Sequence, residues 1–551
     1  MELYEVAKTM EEIGDLLELT EENPFKARAY YNGALVLREN PGYPVTNPKQ
    51  IMELPGIGAT LAQVIVELAS TGKSTFHAEL KEKVPVEFAK LLHIPGIGVK
   101  TIRAIMQELK PQTLEELEIA VEKRRIRQIK GLSSKTEAKL KRGLALLQEP
   151  PEQFSLGLAL PLGRELQVFL AKLPYVTSVA IVGSTIRGRE TVRDLDLVVA
   201  SNDFAGVKVA FGSFPKIERL LDEKDNYLRA QTWFGLPVDI HIVAPEVFEQ
   251  AREHFSGDIA HHAKLRRLAE QQGLSWEMMP LGVYRELSLP AIPPELREGE
   301  VDLKVPDNLL QLTDLAGDLH MHTRWSDGGQ SVRDMAFAAV KKNYAYIAIC
   351  DHSRNLTVAK GLQPEQLLQQ REEIDTVNAE LAGRLKVLAG AETDILKDGS
   401  MDFPDDVLAE LDVVVASVHM RYKQDSVTMT QRIESALKNP HVDILAHPTG
   451  RLVGRRDPFD VDLAKVFEIA AKNKKALEIN ASPARLDLKD KYAAMARDWG
   501  VPIVIDTDAH DTEELDDMEY GVLTARRAGL ARGDVLNTKS LSELEKWLNK
   551  R

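Results

Sequence analysis

In the stretch GSTIRGRETVRDLDLVVA, residues 183–200, two aspartates stand two positions apart, Asp194 and Asp196. On an extended strand residues with this spacing share a face, so the two carboxylates converge. Their neighbours Leu195, Leu197, Val198 and Val199 are apolar, which makes the strand half-buried. Like charges in that setting are costly unless a cation lies between them. A hard divalent ion such as magnesium takes carboxylate and phosphate oxygens together. Upstream, Gly183 and Ser184 with Arg187 offer backbone and side-chain donors suited to a phosphate. Asp239, in the apolar run PVDIHIV, can add a third carboxylate from a neighbouring strand. The chemistry implied is metal-assisted phosphoryl transfer.

Nearer the C-terminus a different donor set recurs. His320, His322, Asp327, His352, Glu392, His419, His447, Asp508 and His510 follow apolar runs such as AYIAIC, LKVLAG, DVVVAS, VDILA and VPIVI. A single histidine after a strand is usually a hydrogen-bonded structural residue. Nine His, Asp and Glu positions repeating at strand ends point instead to one shared site. Ligands at the C-terminal ends of successive parallel strands converge at one end of a barrel. This mixed nitrogen and oxygen set suits manganese or zinc, two or three ions together.

These donors need scaffolds. At 551 residues the chain exceeds a single core and is expected to divide into several domains. Its 44% hydrophobic and 28% charged content is that of soluble globular domains. No apolar run reaches the length of about 18 residues needed to span a membrane. The start, MELYEVAKTMEE, reads as an acidic amphipathic helix, not as a signal peptide. The one cysteine, Cys350, cannot form an internal disulfide, which suits the cytoplasm. The net charge of −14 does not advertise nucleic acid. Between Lys123 and Arg142, however, nine Lys or Arg stand against one acid, Glu137. Such a stripe is a local electrostatic footprint for phosphates.

Residues 1–148 alternate helical periodicity with short turns. LPGIG at 54–58 and IPGIG at 94–98 are near-copies, and IKGLS at 129–133 is a third, basic version. Gly56, Gly58, Gly96 and Gly98 let backbone N–H groups at a helix start approach a phosphate, with Lys100, Lys130 and Lys135 beside the turns. This helix-hairpin-helix pattern grips a DNA backbone without reading sequence. EPPE at 149–152 leads into an α+β domain over 149–243, with a helix at 163–173. Residues 244–290 follow, then a Pro- and acid-rich linker at 291–315, then strand–helix alternation over 316–551.

The GS pair, the DxD and the later aspartate together resemble the palm of the nucleotidyltransferases, specifically the family X DNA polymerases. The resemblance implies that Asp194, Asp196 and Asp239 are catalytic ligands of two ions, Mg²⁺ or Mn²⁺, which align a primer hydroxyl with an incoming dNTP. It also implies triphosphate contacts at Gly183, Ser184, Arg187 and Arg193. Phe255 and Gly257, in HFSGD at 254–258, match positions of the thumb, 244–290, that touch the nucleotide. Bacterial relatives tend to read YFTGS and then HN there, so His254 and His262 stand for a tyrosine and an asparagine. NPFKARAY at 23–30 resembles the start of the family's N-terminal domain, where Lys26 and Tyr30 match positions that hold a 5′-phosphate at a gap. Val64 stands where the vertebrate repair polymerase carries its Schiff-base lysine, and valine cannot form an imine. No lyase chemistry is expected at that position.

The nine C-terminal donors match the PHP (polymerase and histidinol phosphatase) phosphoesterase motif at every position. That resemblance implies a distorted (β/α)7 barrel holding Mn²⁺ or Zn²⁺ and a metal-activated water that attacks phosphorus. HPTGR at 447–451 resembles the version of this domain fused to bacterial polymerases, making Arg451 an expected DNA contact. The order of hairpins, palm, thumb and PHP barrel resembles the bacterial and archaeal family X polymerases. It implies gap filling in base-excision repair on gapped or nicked duplex with a 5′-phosphate. It further implies a 3′–5′ exonuclease, with abasic-site endonuclease or 3′-phosphatase action. The alternative is a PHP nuclease or phosphatase whose polymerase core is only a DNA-binding scaffold. A small-molecule phosphatase is a third reading, disfavoured by the hairpins and the palm. A monomer without membrane attachment is expected.

Overall fold

The structure, a computed structural model, describes residues 3–548 apart from 21–23, 41–42, 46, 85, 95–96, 149–150, 275–282 and 300–304. The chain forms two compact units. One comprises Met1–Phe154, Leu158–Gly183 and Val192–Phe255; the other comprises Ser155–Gly157, Ser184–Thr191 and Ser256–Arg551. Among the described residues no helix is long and apolar enough to cross a membrane.

The first unit opens with helices. Leu3–Leu19 pairs with Pro24–Glu39, and Ala59–Thr71, Val99–Leu109 and Ser134–Gln148 each follow one of the glycine turns. Gly56 has φ +81° and Gly131 φ +88°, left-handed values that glycine adopts without a steric penalty. Gly58 and Gly98 are exposed N-caps, so backbone donors of the first helical turn have no intrahelical partner there. Leu54, Ile57, Ile94, Ile97 and Ile129 turn inward from the three hairpins to a common core.

A five-stranded sheet follows, with β1 (Val176–Val182), β2 (Leu195–Ser201), β3 (Ile217–Lys224), β4 (Tyr227–Thr232) and β5 (Pro237–Val243). Their spatial order is β1-β2-β5-β4-β3. The helix expected over 163–173 instead begins at Leu156 and runs to Ala171. Buried Leu156, Ala159, Leu160 and Leu162 extend its apolar face across Pro161, and that burial outweighs the hydrogen bond proline removes.

The second unit is built on seven strands: β6 (Gly317–Met321), β7 (Tyr346–Ile349), β8 (Lys386–Asp394), β9 (Val413–Ser417), β10 (Ile444–Leu445), β11 (Ala476–Asn480) and β12 (Ile503–Asp506). They pair in parallel in sequence order. Past β12 the chain bonds back to β6, with His322 N donating to Ala509 O at 2.8 Å and Asp508 N to His320 O at 2.9 Å. The result is a nearly closed seven-stranded barrel. Its strands are buried on both faces, which explains their unbroken apolar runs. Residues 300–304 of the stretch expected as a linker, 291–315, lie outside the described residues, and several of its described apolar side chains are buried. Ile292 and Leu296 pack with Leu309 in one cluster, and Leu310 and Leu315 join the barrel core.

Candidate metal centres and nucleic-acid contacts

The parallel pairing of β2 with β5 puts Asp196 directly opposite Asp239, so both carboxylates leave the same face of the sheet. Asp194 lies one residue before β2 begins, and its charge is felt at Asp239. Asp239 is buried, and that burial pushes its carboxyl upward, with the Asp194 charge adding to the effect. Tyr227 Oη, which donates to Asp239 Oδ1 at 2.9 Å, and Arg229, at 3.2 Å from Oδ2, oppose the rise. Both come from β4, whose register pairs Arg229 with Asp239. The sequence reading missed these two partners, although the alternation of YLRAQT marks Tyr227 and Arg229 as one face of a strand.

In the barrel, eight of the nine donors fall into three overlapping clusters. His322, Asp327, His352 and His510 form one; His320, His322 and Asp508 a second; His352, Glu392 and His419 a third. His447 joins through Glu392, with Nε2 3.0 Å from Oε1. Glu392 lies at the centre, and its other oxygen stands 2.7 Å from His352 Nδ1. His447 and Asp508 occupy left-handed backbone, at φ +29° and +54°, a strained conformation that concentrates at functional sites.

Several imidazoles are aimed by their outer nitrogen. His320 Nδ1 lies 2.7 Å from Glu478 Oε1, His419 Nδ1 2.6 Å from Asp394 Oδ1, and His510 Nδ1 2.8 Å from the Asp508 carbonyl. Each pairing turns Nε2 toward the interior as a lone-pair donor. Glu478 and Asp394 were absent from the sequence reading; both sit on apolar strands, ALEIN and KVLAGAETD, where a buried carboxylate requires a partner. Asp351 was missed too. It accepts from Thr323 N at 2.8 Å and Ser326 N at 3.2 Å, and so folds the loop that presents Asp327.

The donor chemistry fits divalent ions. His320 and His322 bring two Nε2 atoms within 3.2 Å of each other, an approach that leaves lone pairs facing unless a cation or proton joins them. The carboxylates draw positive charge strongly. Burial alone would depress the imidazoles, yet Glu392 pushes His419 up to about 10, and Asp327 with Asp508 pushes His510 up to about 10. His447 goes the other way, down to about 3, through burial and the nearby Arg485.

The chain is 38% identical, over all of its length and all of the relative's, to the DNA polymerase/3′-5′ exonuclease PolX of Bacillus subtilis (strain 168). The chain belongs to the PolX family. Family models agree on both ends: a helix-hairpin-helix domain at residues 2–74, a SAM-like helix-hairpin-helix tandem at 88–145, and a PHP domain at 318–482. A probable phosphatase of Thermoanaerobacter sp. (strain X514) is 29% identical over 42% of this chain and 94% of its own. A probable phosphatase of Shewanella sediminis (strain HAW-EB3) shows the same identity over the same shares. The PolX family membership, unlike these partial matches, covers the palm as well as the barrel.

The remaining expected contacts of this PolX-family chain are placed unevenly. Gly183 lies against Asp196, and Gly257 lies against His262, where an added Cβ would fall 3.0 Å from Nε2. Phe255 stacks on His241 at 4.0 Å. Lys100 and Lys130 are exposed beside their hairpins, whereas Gly96 and the side chain of Lys135 lie outside the described residues. Lys26 sits over the Phe76 ring at 4.3 Å, and Val64 is buried in the helical core. Three side chains read as phosphate contacts are turned inward. Tyr30 belongs to the helical core and stacks on Phe76 at 5.8 Å. Arg187 pairs with Glu298 at 2.9 Å, and Arg451 pairs with Glu190 at 2.8 Å while also donating to the Leu486 carbonyl. A buried guanidinium requires a carboxylate, and that demand decides where these two arginines point.

Proposed function

We propose that the protein is a repair DNA polymerase of family X with a metal-dependent 3′–5′ exonuclease in its PHP barrel. The observation that carries this reading is full-length relatedness to a PolX enzyme in a chain with two separate carboxylate centres. Asp194, Asp196 and Asp239 would hold Mg²⁺ or Mn²⁺ in the palm. The nine barrel donors would hold two or three ions, Mn²⁺ or Zn²⁺. When bound, such ions neutralise charge developing at phosphorus and, in the barrel, activate water for attack. The chain's own part is positioning. The paired strands β2 and β5 fix two carboxylates in register, and Tyr227 and Arg229 orient Asp239. In the barrel, Glu478 and Asp394 hold His320 and His419 with Nε2 inward.

The substrate we infer is gapped or nicked duplex carrying a 5′-phosphate, with dNTPs, gripped through the hairpins and the basic stripe between Lys123 and Arg142. Abasic-site cleavage and 3′-phosphate removal in the barrel, a monomeric state and a cytoplasmic location belong to the same reading. The test uses a one-nucleotide gapped duplex with labelled primer, Mn²⁺ or Mg²⁺, with and without dNTPs. Asp194→Ala should lose extension by about 10³-fold or more yet still shorten the primer, and His320→Ala should do the reverse. A wild type that shortens the primer but never extends it would reduce the palm to a DNA-binding scaffold.

A further inference from the structure

The segment Ser184–Thr191 continues the glycine turn of the palm, yet its own contacts place it in the second unit. Arg187 retains only 7% of its surface exposure. Its Nε meets Glu298 Oε1 at 2.9 Å, and its carbonyl accepts from Arg527 Nη1 at 2.8 Å. Arg527 also reaches the other Glu298 oxygen at 2.7 Å and Asp490 at 2.8 Å. At the far end of the segment Glu190 lies between Arg451, at 2.8 Å, and Lys489, at 3.1 Å. Charge-assisted hydrogen bonds between largely buried groups are the strong kind. Burial pushes the Glu298 carboxyl up, but the bonds from Arg527 and Arg187 bring it below the usual carboxylate range, so it is ionised at neutral pH.

The segment has two internal backbone bonds, from Gly188 N to Thr185 O at 3.0 Å and from Arg189 N to Ser184 O at 3.2 Å, and the ion pairs add to them. It is entered through Gly183 at φ +65° and carries Gly188 at φ +69°, and glycines at such positions leave a loop conformationally free unless its surroundings hold it. Since the Arg187 guanidinium is engaged by Glu298, its contribution to nucleotide binding runs through the loop it anchors. We propose that Glu298 and Arg527 are positioning residues for nucleotidyl transfer, holding segment 184–191 so that the Gly183–Ser184 donors are set for the incoming triphosphate. The proposal rests on the polymerase reading above.

Gap filling is measured at varied dNTP concentration for wild type, Glu298→Ala, Glu298→Gln and Arg527→Ala, with Asp196→Ala as control and primer shortening without dNTPs as a second readout. Glu298→Ala and Arg527→Ala are expected to raise the dNTP KM by about tenfold while kcat changes by less than about twofold, and primer shortening stays within about twofold of wild type. Glu298→Gln, which keeps size and an acceptor oxygen, should raise KM by about threefold and carries the test if the alanine variants fail to fold. An unchanged KM in a wild type that extends the primer, with Asp196→Ala inactive, overturns the proposal and leaves the polymerase reading standing. Parallel loss of both activities with a lowered melting temperature makes the network merely structural and also overturns it. A wild type without extension removes the polymerase reading, and the proposal with it.

Discussion

A Cβ built on Gly183 would lie 1.9 Å from Asp196 Oδ2, on a backbone at φ +65° that a side chain rarely adopts. Gly183→Ala must therefore displace either the turn or the carboxylate. Misplacing a reacting group by an ångström costs about 10²-fold. Extension by this variant should fall by about that factor, read in the gapped-duplex assay, while barrel hydrolysis is retained. In the barrel the comparable residue is Asp394, whose contact with His419 Nδ1 at 2.6 Å keeps that ring oriented. Losing an outer partner of a ligating histidine typically weakens metal affinity by about 10–100-fold. Asp394→Ala should raise the Mn²⁺ concentration for half-maximal primer shortening by that much and leave extension unchanged.

Individual helices carry their own signatures. In Ile259–Gln271, His261 is 1% exposed and its Nε2 lies 2.6 Å from Tyr284 Oη. Burial, then the nearby His262 and Arg297, push its pKa down to about 4 from an ordinary 6.5. Between those values the unfolded chain binds a proton that the folded chain does not, so stability rises with pH across the window and is lost on acidification. The loss amounts to about 3 kcal/mol by pH 4. Denaturant unfolding between pH 4 and 7 checks this: His261→Gln should flatten that part of the profile. In the hairpins, Lys100 and Lys130 stand exposed next to turns whose leading backbone donors lack intrahelical partners. If they meet phosphates, replacing each with Ala should lower the slope of log affinity against log salt by about 1. An unchanged slope would place the DNA elsewhere.

At the scale of the whole molecule, the palm gathers carboxylates and the barrel gathers carboxylates with imidazoles, and divalent ions would balance both sets. A chelator should abolish extension and primer shortening together, and Mn²⁺ should restore both. Calorimetry should also show the barrel's transition shifting upward with added Mn²⁺, because an ion that binds the folded state alone stabilises it by mass action. Much of this design was legible in the chain. The alternation of DLDLVVA and PVDIHIV marked Asp196 and Asp239 as strand residues, and the histidines after apolar runs marked the mouth of a barrel. Donor types, their order and their places at strand ends are local properties, fixed by side-chain alternation and turn chemistry within a few residues. Partners are not local. Glu478 serves His320 across 158 positions of sequence, and Glu298 holds Arg187 across 111. Those pairings, and the burial that turned Tyr30, Arg187 and Arg451 inward, were decided only in the tertiary structure. They depend on which strands and loops meet, and periodicity along one strand carries no record of its neighbours.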